Sequence, residues 1–314
     1  MVGRKVGIVG AGFVGATAAY SLAMLGTCHE VILYDIAPGV AAGKAIDIGQ
    51  STNYSPKGTI VTAAEDPSDI KDCDVVVITA GVPRKSDMTR ADLLMINAKI
   101  IKEVVGNVKK YSPNAIILCV SNPLDVMTYV IQKMTGWERN RIVGMAGALD
   151  GARMAYQIHK IVGYGSGQIK AMVMGDHGQH MIPYPEISVV GGVPLKQLVS
   201  REEMEKIIAR TKEGGAEIVK LLGTSAYFAP GRAISVMVEA ILDDSRIVMS
   251  SSVLLDGEYG HKDVAVGVPV VLGARGVEEI IELELDDDMK QKFKVSVDSI
   301  REGIEILEEN HFFD

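Results

Sequence analysis

Short runs of consecutive apolar residues alternate with longer segments of helical periodicity along the first 145 residues. The apolar runs predict six strands, at 6–9, 31–34, 59–61, 75–79, 115–120 and 141–143. Helical patterns lie between them, near 13–26, 40–50, 88–111 and 124–135. Because the apolar runs are continuous and do not alternate with polar residues, both faces of each strand are expected to be covered, as in a parallel sheet. Six strands with interposed helices predict a doubly wound α/β fold.

The pattern changes after about residue 145. It predicts helices over 146–161, 201–222 and 287–308, and strands over 169–174, 187–190, 248–255 and 264–272. The helix over 201–222 carries its apolar residues on one face, which is typical of a helix that packs on a core with its other side in solvent. We therefore predict two domains, a parallel-sheet domain of residues 1–145 and a mixed α+β domain of residues 146–314.

A glycine turn follows the first predicted strand. Gly10-Ala11-Gly12-Phe13-Val14-Gly15 has the spacing G-x-G-x-x-G, and Asp35 lies 20 residues beyond Gly15, at the end of the second strand. Between a strand and a helix, this pattern predicts a Rossmann site with a pyrophosphate at the helix N-terminus and Asp35 on the ribose hydroxyls. A carboxylate there repels a 2′-phosphate, and Ile36 and Ala37 supply no compensating cation, so NAD is favoured over NADP. The alternative is an Asp35 that only caps the next turn.

Composition excludes several classes of protein. The chain has 314 residues, 47% of them hydrophobic and 23% charged, as in an ordinary globular protein. Its net charge of −8 argues against nucleic acid or an acidic membrane as a partner. Three widely spaced cysteines indicate neither a disulfide framework nor a metal site. We find no signal peptide and no apolar run long enough to span a membrane, and we expect a cytoplasmic protein.

Two arginines, Arg84 and Arg90, lie in the segment that follows the fourth predicted strand. Ligands of open α/β sheets bind at the carboxyl ends of the strands. A guanidinium group matches a carboxylate in a two-point hydrogen bond, so this segment predicts a binding site for an anionic substrate. The alternative is a solvated surface turn.

Three further segments carry polar side chains that suit hydride-transfer chemistry. Ser121-Asn122-Pro123-Leu124-Asp125 follows the fifth strand, Asp150 and Arg153 lie three residues apart on one helix face, and His177 lies between glycines in Gly175-Asp176-His177-Gly178. A lone histidine is more often structural than catalytic, and an isolated Asp/Arg pair is usually a surface ion pair. Beside a dinucleotide site, the combination favours a dehydrogenase.

Taken together, these motifs give the chain a family resemblance. It resembles the lactate/malate dehydrogenase superfamily over essentially its whole length, and most of all the lactate-dehydrogenase-like malate dehydrogenases. The resemblance rests on six motifs in the family's order: residues 10–15, 80–85, 89–94, 120–125, 149–153 and 175–178. It implies an NAD-dependent enzyme that interconverts (S)-malate and oxaloacetate, two small dicarboxylates.

The resemblance also implies roles for individual residues. His177 would be the general acid/base, and Asp150 would hold its imidazole in the right tautomer and stabilise the cationic form. Arg153 would bind the substrate carboxylate next to the reacting carbon, and Arg90 would polarise the carbonyl. Asn122 would hydrogen-bond the substrate. The implied cofactor-groove residues are Asn97, Val120, Ser121 and Asn122, and the Asn122–Pro123 bond is expected to be cis.

Arg84 carries the choice of substrate. In the family this position tends to be Arg in malate enzymes and Gln in lactate enzymes. Oxaloacetate has a second carboxylate that needs a cation in a closed site, whereas pyruvate would leave Arg84 desolvated and unpaired. Two residues depart from the family pattern: Gln179 stands where Asp is usual, and Asp176 directly precedes His177.

Other functions remain open at this point. The nearest is an NAD-dependent dehydrogenase for L-lactate or another 2-hydroxy acid, against which Arg84 argues. A non-catalytic NAD sensor would have no use for His177 and Asp150, and an NAD-dependent glycosidase would need a metal-ligand set that the sequence lacks. Members of the family are mostly dimers or tetramers, so a homodimer or homotetramer is expected.

Overall fold

The computed structural model describes residues 3–55, 57–83 and 88–314. The parallel strands of its main sheet are β1 (Lys5–Val9), β2 (Glu30–Tyr34), β3 (Ile60–Ala63), β4 (Val75–Ile78), β5 (Ile116–Cys119) and β6 (Ile142–Gly144). They run in the order β3-β2-β1-β4-β5-β6. This is the strand order of a doubly wound dinucleotide-binding sheet, so the predicted fold class is confirmed.

The second half adds short strands and a hairpin. The short strands are β7 (Ile169–Lys170), β8 (Val173–Met174), β9 (Ile182–Pro183), β10 (Val189–Val190) and β11 (Val193–Pro194). The longer strands β12 (Ile247–Asp256), β13 (Lys262–Gly273) and β14 (Gly276–Ile280) are antiparallel and continue the main sheet beyond β6. They join it where Ser252 pairs with Gly144. The strand predicted over 169–174 is thus two short strands, and β14 was not predicted.

Eight α-helices occur in the described ranges. They are α1 (Phe13–Leu25), α2 (Pro38–Ser51), α3 (Arg90–Tyr111), α4 (Leu124–Thr135), α5 (Gly147–Val162), α6 (Arg201–Leu222), α7 (Phe228–Leu242) and α8 (Asp287–Glu309). Seven of them match predicted helices to within a few residues, and α7 was missed. Its sequence is apolar on nearly every side, with Pro230 and Gly231 in its first turn. A proline is tolerated in a first helical turn, where its missing N–H has no helical partner anyway.

The main apolar core covers both faces of the large sheet and includes residues from both halves of the chain. A smaller core joins α5 and α6 to the short strands, through residues that include Met154, Ile158, Val173 and Ile207. The main sheet therefore continues past residue 145, where the sequence predicts a domain boundary. That boundary remains a prediction.

The glycine turn between β1 and α1 depends on two close approaches. Gly10 has a φ of 105°, and a Cβ atom there would lie 2.6 Å from Thr79 Oγ1. A Cβ atom on Gly15 would lie 2.0 Å from the carbonyl oxygen of Gly10. Only glycine fits either position, so the sequence forces the helix start against the strand end. No side chain caps the N-terminus of α1, which leaves its first N–H groups free for a ligand.

Helix α7 packs closely against α1 and so supports the glycine turn from the second half of the chain. A Cβ atom on Gly231 would lie 2.6 Å from Thr17 Cγ2 and 3.0 Å from the backbone nitrogen of Ala18. One turn further on, the hydroxyls of Ser235 and Ser21 are 2.8 Å apart. Helix α7 therefore helps to hold α1 in place.

We predict that Gly231→Ala lowers the free energy of unfolding by about 1–3 kcal/mol, because the methyl group has no room against α1. Gly106→Ala is the matched control. Gly106 is an exposed glycine inside α3, with open space where its Cβ would lie, and alanine there should stabilise by about 0.5–1 kcal/mol. Urea denaturation of both variants measures the difference. Equal effects of the two substitutions would contradict this account of the α1–α7 contact.

Candidate active site

The carboxyl ends of β1, β4 and β5 bring three predicted segments to one edge of the sheet. The Asn97 side chain on α3 ties two of them together. Its Oδ1 accepts from the Val82 N–H at 2.8 Å, and its Nδ2 donates to the carbonyl oxygens of Val82 and Asn122 at 3.3 and 2.7 Å. Asn97 is only 2% exposed. Its predicted contact with a cofactor stays a prediction, whereas its place in the fold is to hold two loops together.

The segment after β5 is fixed by its own hydrogen bonds. The Ser121 hydroxyl donates to the Ala80 carbonyl oxygen at 2.5 Å, and the Asn122–Pro123 peptide bond is cis, as the resemblance implies. Val120, Asn122 and Val14 line one cavity of about 370 Å³. This cavity is the place where the sheet edge meets the second half of the chain.

Asp35 engages the backbone of both turns that flank it. Its Oδ2 accepts from the Ala11 N–H at 2.7 Å and its Oδ1 accepts from the Ala37 N–H at 2.9 Å. The carboxylate therefore caps the next turn and also reaches the glycine turn, so the two readings of Asp35 are compatible. Gly12 has open space where a side chain would lie, which leaves room for a ligand to approach the backbone.

A cation that the sequence argument missed lies at the same turn. Lys44 on α2 donates from Nζ to the Ala11 carbonyl oxygen at 2.6 Å, and Nζ lies 5.5 Å from the centre of the Phe13 ring. Phe13 is 62% exposed and stacks on Tyr227 at 5.2 Å. The two residues directly after Asp35, Ile36 and Ala37, supply no cation. A helix starting near residue 38 brings residue 44 back toward the turn.

The predicted catalytic residues meet around one buried carboxylate. Asp150 Oδ2 lies 2.7 Å from His177 Nδ1, and Asp150 Oδ1 accepts from Arg153 Nη1 at 2.8 Å. The Asp150 side chain is 2% exposed, and those of His177 and Arg153 are 13% and 17% exposed. Asp150 and Arg153 lie on consecutive turns of α5, while His177 follows β8. His177 Nδ1 is engaged, so Nε2 is the ring nitrogen that remains for a substrate.

The electrostatics of the pair favour the protonated imidazole. Burial alone lowers the pKa of His177, but the charge of the Asp150 carboxylate and its hydrogen bond raise it by more, so the net pKa lies above the ordinary value of 6.5. The guanidinium of Arg153 acts in the opposite sense and moderates this increase. The pair thus stabilises the protonated form of His177 relative to a free imidazole.

Arg153 has a hydrogen-bonding group without a partner. Its Nε atom is buried and donates to no residue in the described ranges, although its Nη1 is bonded to Asp150. Arg153 and His177 line the same cavity as Val120 and Asn122. A buried guanidinium N–H without a partner is costly. The guanidinium as a whole belongs to a residue that lines this cavity, and its planar fork matches a carboxylate.

Helix α6 closes this cavity and was not identified as part of the site from the sequence. Lys212, Gly215 and Ala216 of α6 line it, together with Ser225 and Pro230 from the segment leading into α7. A Cβ atom on Gly215 would lie 3.4 Å from Arg153 Nη2, so the glycine leaves space for the guanidinium. The pair Gly214-Gly215 inside an otherwise strong helix pattern was the available signal.

Arg90 lies apart from the cavity that holds Arg153. It begins α3 and lines a second cavity of about 370 Å³, together with His177, Asp176 and His180. His177 borders both cavities, as do Leu124, Gly178 and Gln179. Arg84 lies outside the described residues, so its predicted role is a prediction from sequence only.

The two departures from the family pattern also lie at His177. Burial raises the pKa of Asp176 to about 6, and its Oδ1 accepts no hydrogen bond from the described part of the chain. Gln179 lines both cavities. The structure offers no physical reason for Gln179 in place of a carboxylate.

The described ranges contain neither a metal-binding cluster nor a membrane-spanning helix. No group of three or more His, Cys, Asp or Glu residues there is arranged to hold a metal ion. Within the same ranges, no helix has the length and apolar character needed to cross a bilayer.

A dinucleotide turn on a doubly wound sheet, beside a buried His–Asp pair and a guanidinium, defines a nicotinamide-dependent dehydrogenase of two-domain type. Comparison with known proteins gives the family. The profile of the lactate/malate dehydrogenase NAD binding domain matches residues 4–144, and that of the lactate/malate dehydrogenase alpha/beta C-terminal domain matches residues 147–311. The chain belongs to the lactate/malate dehydrogenase family.

Individual relatives are similar over nearly their whole length. The chain is 56% identical to the malate dehydrogenase of Sulfurimonas denitrificans, with 99% of this chain and 98% of the relative covered. It is 53% identical to that of a Nitratiruptor species, with 98% of each covered. The malate dehydrogenase structure from Salinibacter ruber matches with a TM-score of 0.93 at 42% identity, covering 98% of each chain.

A lactate dehydrogenase structure matches equally well in shape. That of Cryptosporidium parvum, complexed with lactic acid and β-nicotinamide adenine dinucleotide, has a TM-score of 0.93 at 36% identity and covers 98% of this chain and 99% of that one. Overall shape therefore does not separate the two activities.

We predict that Asp150→Asn lowers the pKa of His177 below 6.5, because burial of the imidazole persists while the compensating charge is lost. Titration of the histidine ring signals by NMR measures this value, with His177→Asn used to assign the signal among the six histidines. A His177 pKa that does not fall would show that Asp150 does not stabilise the cation.

Proposed function

We propose that the protein is an NAD-dependent malate dehydrogenase, which transfers a hydride reversibly between (S)-malate and NAD⁺, or NADH and oxaloacetate. The observation that carries the proposal is the shared Asp150 carboxylate, which holds a protonatable His177 and the Arg153 guanidinium so that both residues line one cavity. The names of the most similar curated relatives support malate as the substrate.

The residues around the glycine turn fit an NAD cofactor. The N-terminus of α1 has no side-chain cap, Gly12 leaves its backbone open, and Asp35 is placed beside Ala11, where a ribose would meet it. When bound, NADH supplies the hydride and NAD⁺ accepts it. Lys44 adds a positive charge beside the same turn, which suits the negative charge of a pyrophosphate.

Proton transfer belongs to His177. In oxaloacetate reduction, hydride adds to the carbonyl carbon, the C=O π electrons move to oxygen, and the proton on His177 Nε2 completes the hydroxyl. In malate oxidation the same nitrogen accepts the hydroxyl proton as hydride leaves. Asp150 holds Nδ1 through a 2.7 Å hydrogen bond and stabilises the imidazolium in either direction.

Arg153 binds the carboxylate next to the reacting carbon through the N–H groups that Asp150 leaves free. Asn122 lines the same cavity and supplies a hydrogen bond to the substrate. Arg90 is proposed to polarise the carbonyl, which requires it to approach from the neighbouring cavity. Arg84 is proposed, from the sequence, to bind the second carboxylate.

The main alternative is a dehydrogenase for lactate or another 2-hydroxy acid, because the lactate dehydrogenase of Cryptosporidium parvum has the same shape. Arg84 and the names of the curated relatives favour malate. A non-catalytic NAD sensor is disfavoured, since a buried His–Asp pair is a costly arrangement that a sensor does not need.

A homodimer or homotetramer and a cytoplasmic location complete the proposal. Val40 and Ile46 on α2 and Leu221 and Leu222 at the end of α6 are exposed apolar residues that a second copy could cover. Cys28, Cys73 and Cys119 are buried free thiols, and burial raises the pKa of each, as expected for structural cysteines in a reducing compartment.

The proposed activity is tested by steady-state kinetics with oxaloacetate and pyruvate, each with NADH and NADPH, followed at 340 nm. We expect the highest kcat/KM with oxaloacetate and NADH. Arg84→Gln should lower kcat/KM for oxaloacetate roughly 10- to 100-fold, because a charge-assisted contact with the substrate is lost. Lys85→Gln removes the neighbouring charge and is the matched control.

Each part of the proposal would be contradicted by a different result. A preference for pyruvate would overturn malate as the substrate, and an unchanged kcat/KM in Arg84→Gln would overturn the role of Arg84. Equal use of NADPH would contradict the role of Asp35. No turnover with any 2-oxo acid would leave the NAD sensor as the better account.

A further inference from the structure

A second buried carboxylate contacts the main chain of His177, whereas Asp150 contacts its ring. Asp125 Oδ2 accepts a hydrogen bond from the backbone N–H of His177 at 2.7 Å. Asp125 is 5% exposed and lies in the first turn of α4, 52 residues from His177 in the sequence. Asp125 ends the segment Ser121-Asn122-Pro123-Leu124-Asp125, and the proposed mechanism gives it no role. It is therefore a polar group at the catalytic histidine whose function is unassigned.

The second carboxyl oxygen of Asp125 has a different environment, near Ser252. Its Oδ1 is buried and has no hydrogen bond of normal geometry with the described residues, but the nearby Ser252 hydroxyl of β12 lowers the pKa of the carboxyl. Because α4 begins directly after the Asn122–Pro123 bond, Asp125 and Asn122 belong to one short segment. The carbonyl oxygen of Asn122 is fixed by Asn97.

Several hydrogen bonds anchor the segment that carries His177, among them one from the Asp176 N–H to the Ser296 hydroxyl of α8. Before the histidine, Gly175 exchanges two backbone hydrogen bonds with Gly267 of β13, at 2.8 and 3.0 Å. At the histidine, the backbone N–H is bonded to Asp125 and the ring to Asp150. Asp150 can fix the orientation of the ring, whereas Asp125 bonds the main chain of His177 to the segment that holds Asn122.

We propose that Asp125 is a positioning residue of the active site, which sets the distance between the His177 imidazole and the substrate-binding Asn122 by holding the His177 main chain. The inference rests on the proposed function, in which both residues meet one substrate. A misplacement of a reacting group by about 1 Å can cost roughly 100-fold in rate, so one backbone hydrogen bond at this point has kinetic consequences.

Asp125 also contributes charge. The charged groups that act on Asp125 are His177 and Asp176, and Arg90, His180 and Glu302 line the same cavity. Asp150 and Arg153 act on His177. Burial raises the pKa of Asp125 to about 6, so the carboxyl is ionised above that pH. In that form its charge adds to that of Asp150 in raising the pKa of His177.

Asp125→Ala and Asp125→Asn separate the two contributions. The alanine variant removes the acceptor, and we expect kcat for oxaloacetate to fall about 100-fold while the Kd of NADH changes less than about twofold. The asparagine variant keeps an acceptor oxygen of similar position, so we expect kcat to recover to within about tenfold of the wild type. It lacks the charge, so the pKa of His177, measured by NMR titration of the ring, should still move to a lower value.

Ser112→Ala is the matched control. Ser112 is 1% exposed, and its hydroxyl accepts from the Cys73 N–H at 3.0 Å, so it holds backbone in the same way at a place remote from His177. Its loss should lower stability without changing kcat or the His177 titration well below the melting temperature. If Asp125→Ala behaves like Ser112→Ala, Asp125 is only structural and the proposal fails.

The remaining outcomes are also decisive. If Asp125→Ala does not fold, the kcat of Asp125→Asn decides, and a fall of more than about tenfold despite the retained acceptor oxygen overturns the proposal. The NMR titration needs no substrate. Absence of oxaloacetate reduction by the wild type would therefore refute the proposed function, while the titration would still show whether Asp125 acts on His177.

Discussion

The Asp150 carboxylate is the interaction on which the site depends. It is almost completely buried, and transferring an unpaired carboxylate into the interior costs several kcal/mol. Arg153 and His177 compensate that cost by taking one oxygen each. The same two bonds give both partners the properties that the chemistry needs. The bond to Asp150 raises the pKa of His177. The bond from Arg153 Nη1 fixes the guanidinium group and leaves its other N–H groups unbonded to Asp150.

The position of this carboxylate depends on contacts between the two halves of the chain. Asp150 lies in the first turn of α5, which starts where β6 of the parallel sheet ends. His177 comes from a segment that is bonded to β13 and, through Asp125, to the start of α4. Helix α7 packs on α1 and so links the second half to the glycine turn. The glycine turn, His177 and Arg153 are thereby all connected to one continuous sheet.

Local patterns predicted most of the fold because the sheet strands and amphipathic helices have periodicities that do not depend on distant residues. Helix α7 was missed because a helix buried on nearly all sides has no polar face, so its sequence lacks the amphipathic pattern that marks a helix. Strand β14 was missed because Glu278 and Glu279 make it look like a solvated loop, although pairing with β13 decides its structure.

The candidate site shows the same division between local and long-range information. The glycine turn, Asp35, Asp150, Arg153 and His177 belong to short motifs, and the structure brings them together. Other residues reach the site from elements that are far apart in the sequence, so no local spacing predicts their position. They are Lys44, Asp125 and the α6 residues around Gly215. Arg90 belongs to a motif, yet it lies in the neighbouring cavity, which the motif could not show.

The most direct test of this account is the pH dependence of kcat/KM for oxaloacetate reduction by the wild type, with His177→Asn compared at the optimum. Reduction requires protonated His177, whose pKa is raised above 6.5 by Asp150, so kcat/KM should fall with increasing pH through an apparent pKa above 6.5. His177→Asn should lose about 100-fold or more. A flat profile, or a variant that keeps wild-type activity, would contradict the claim that the Asp150–His177 pair carries the proton.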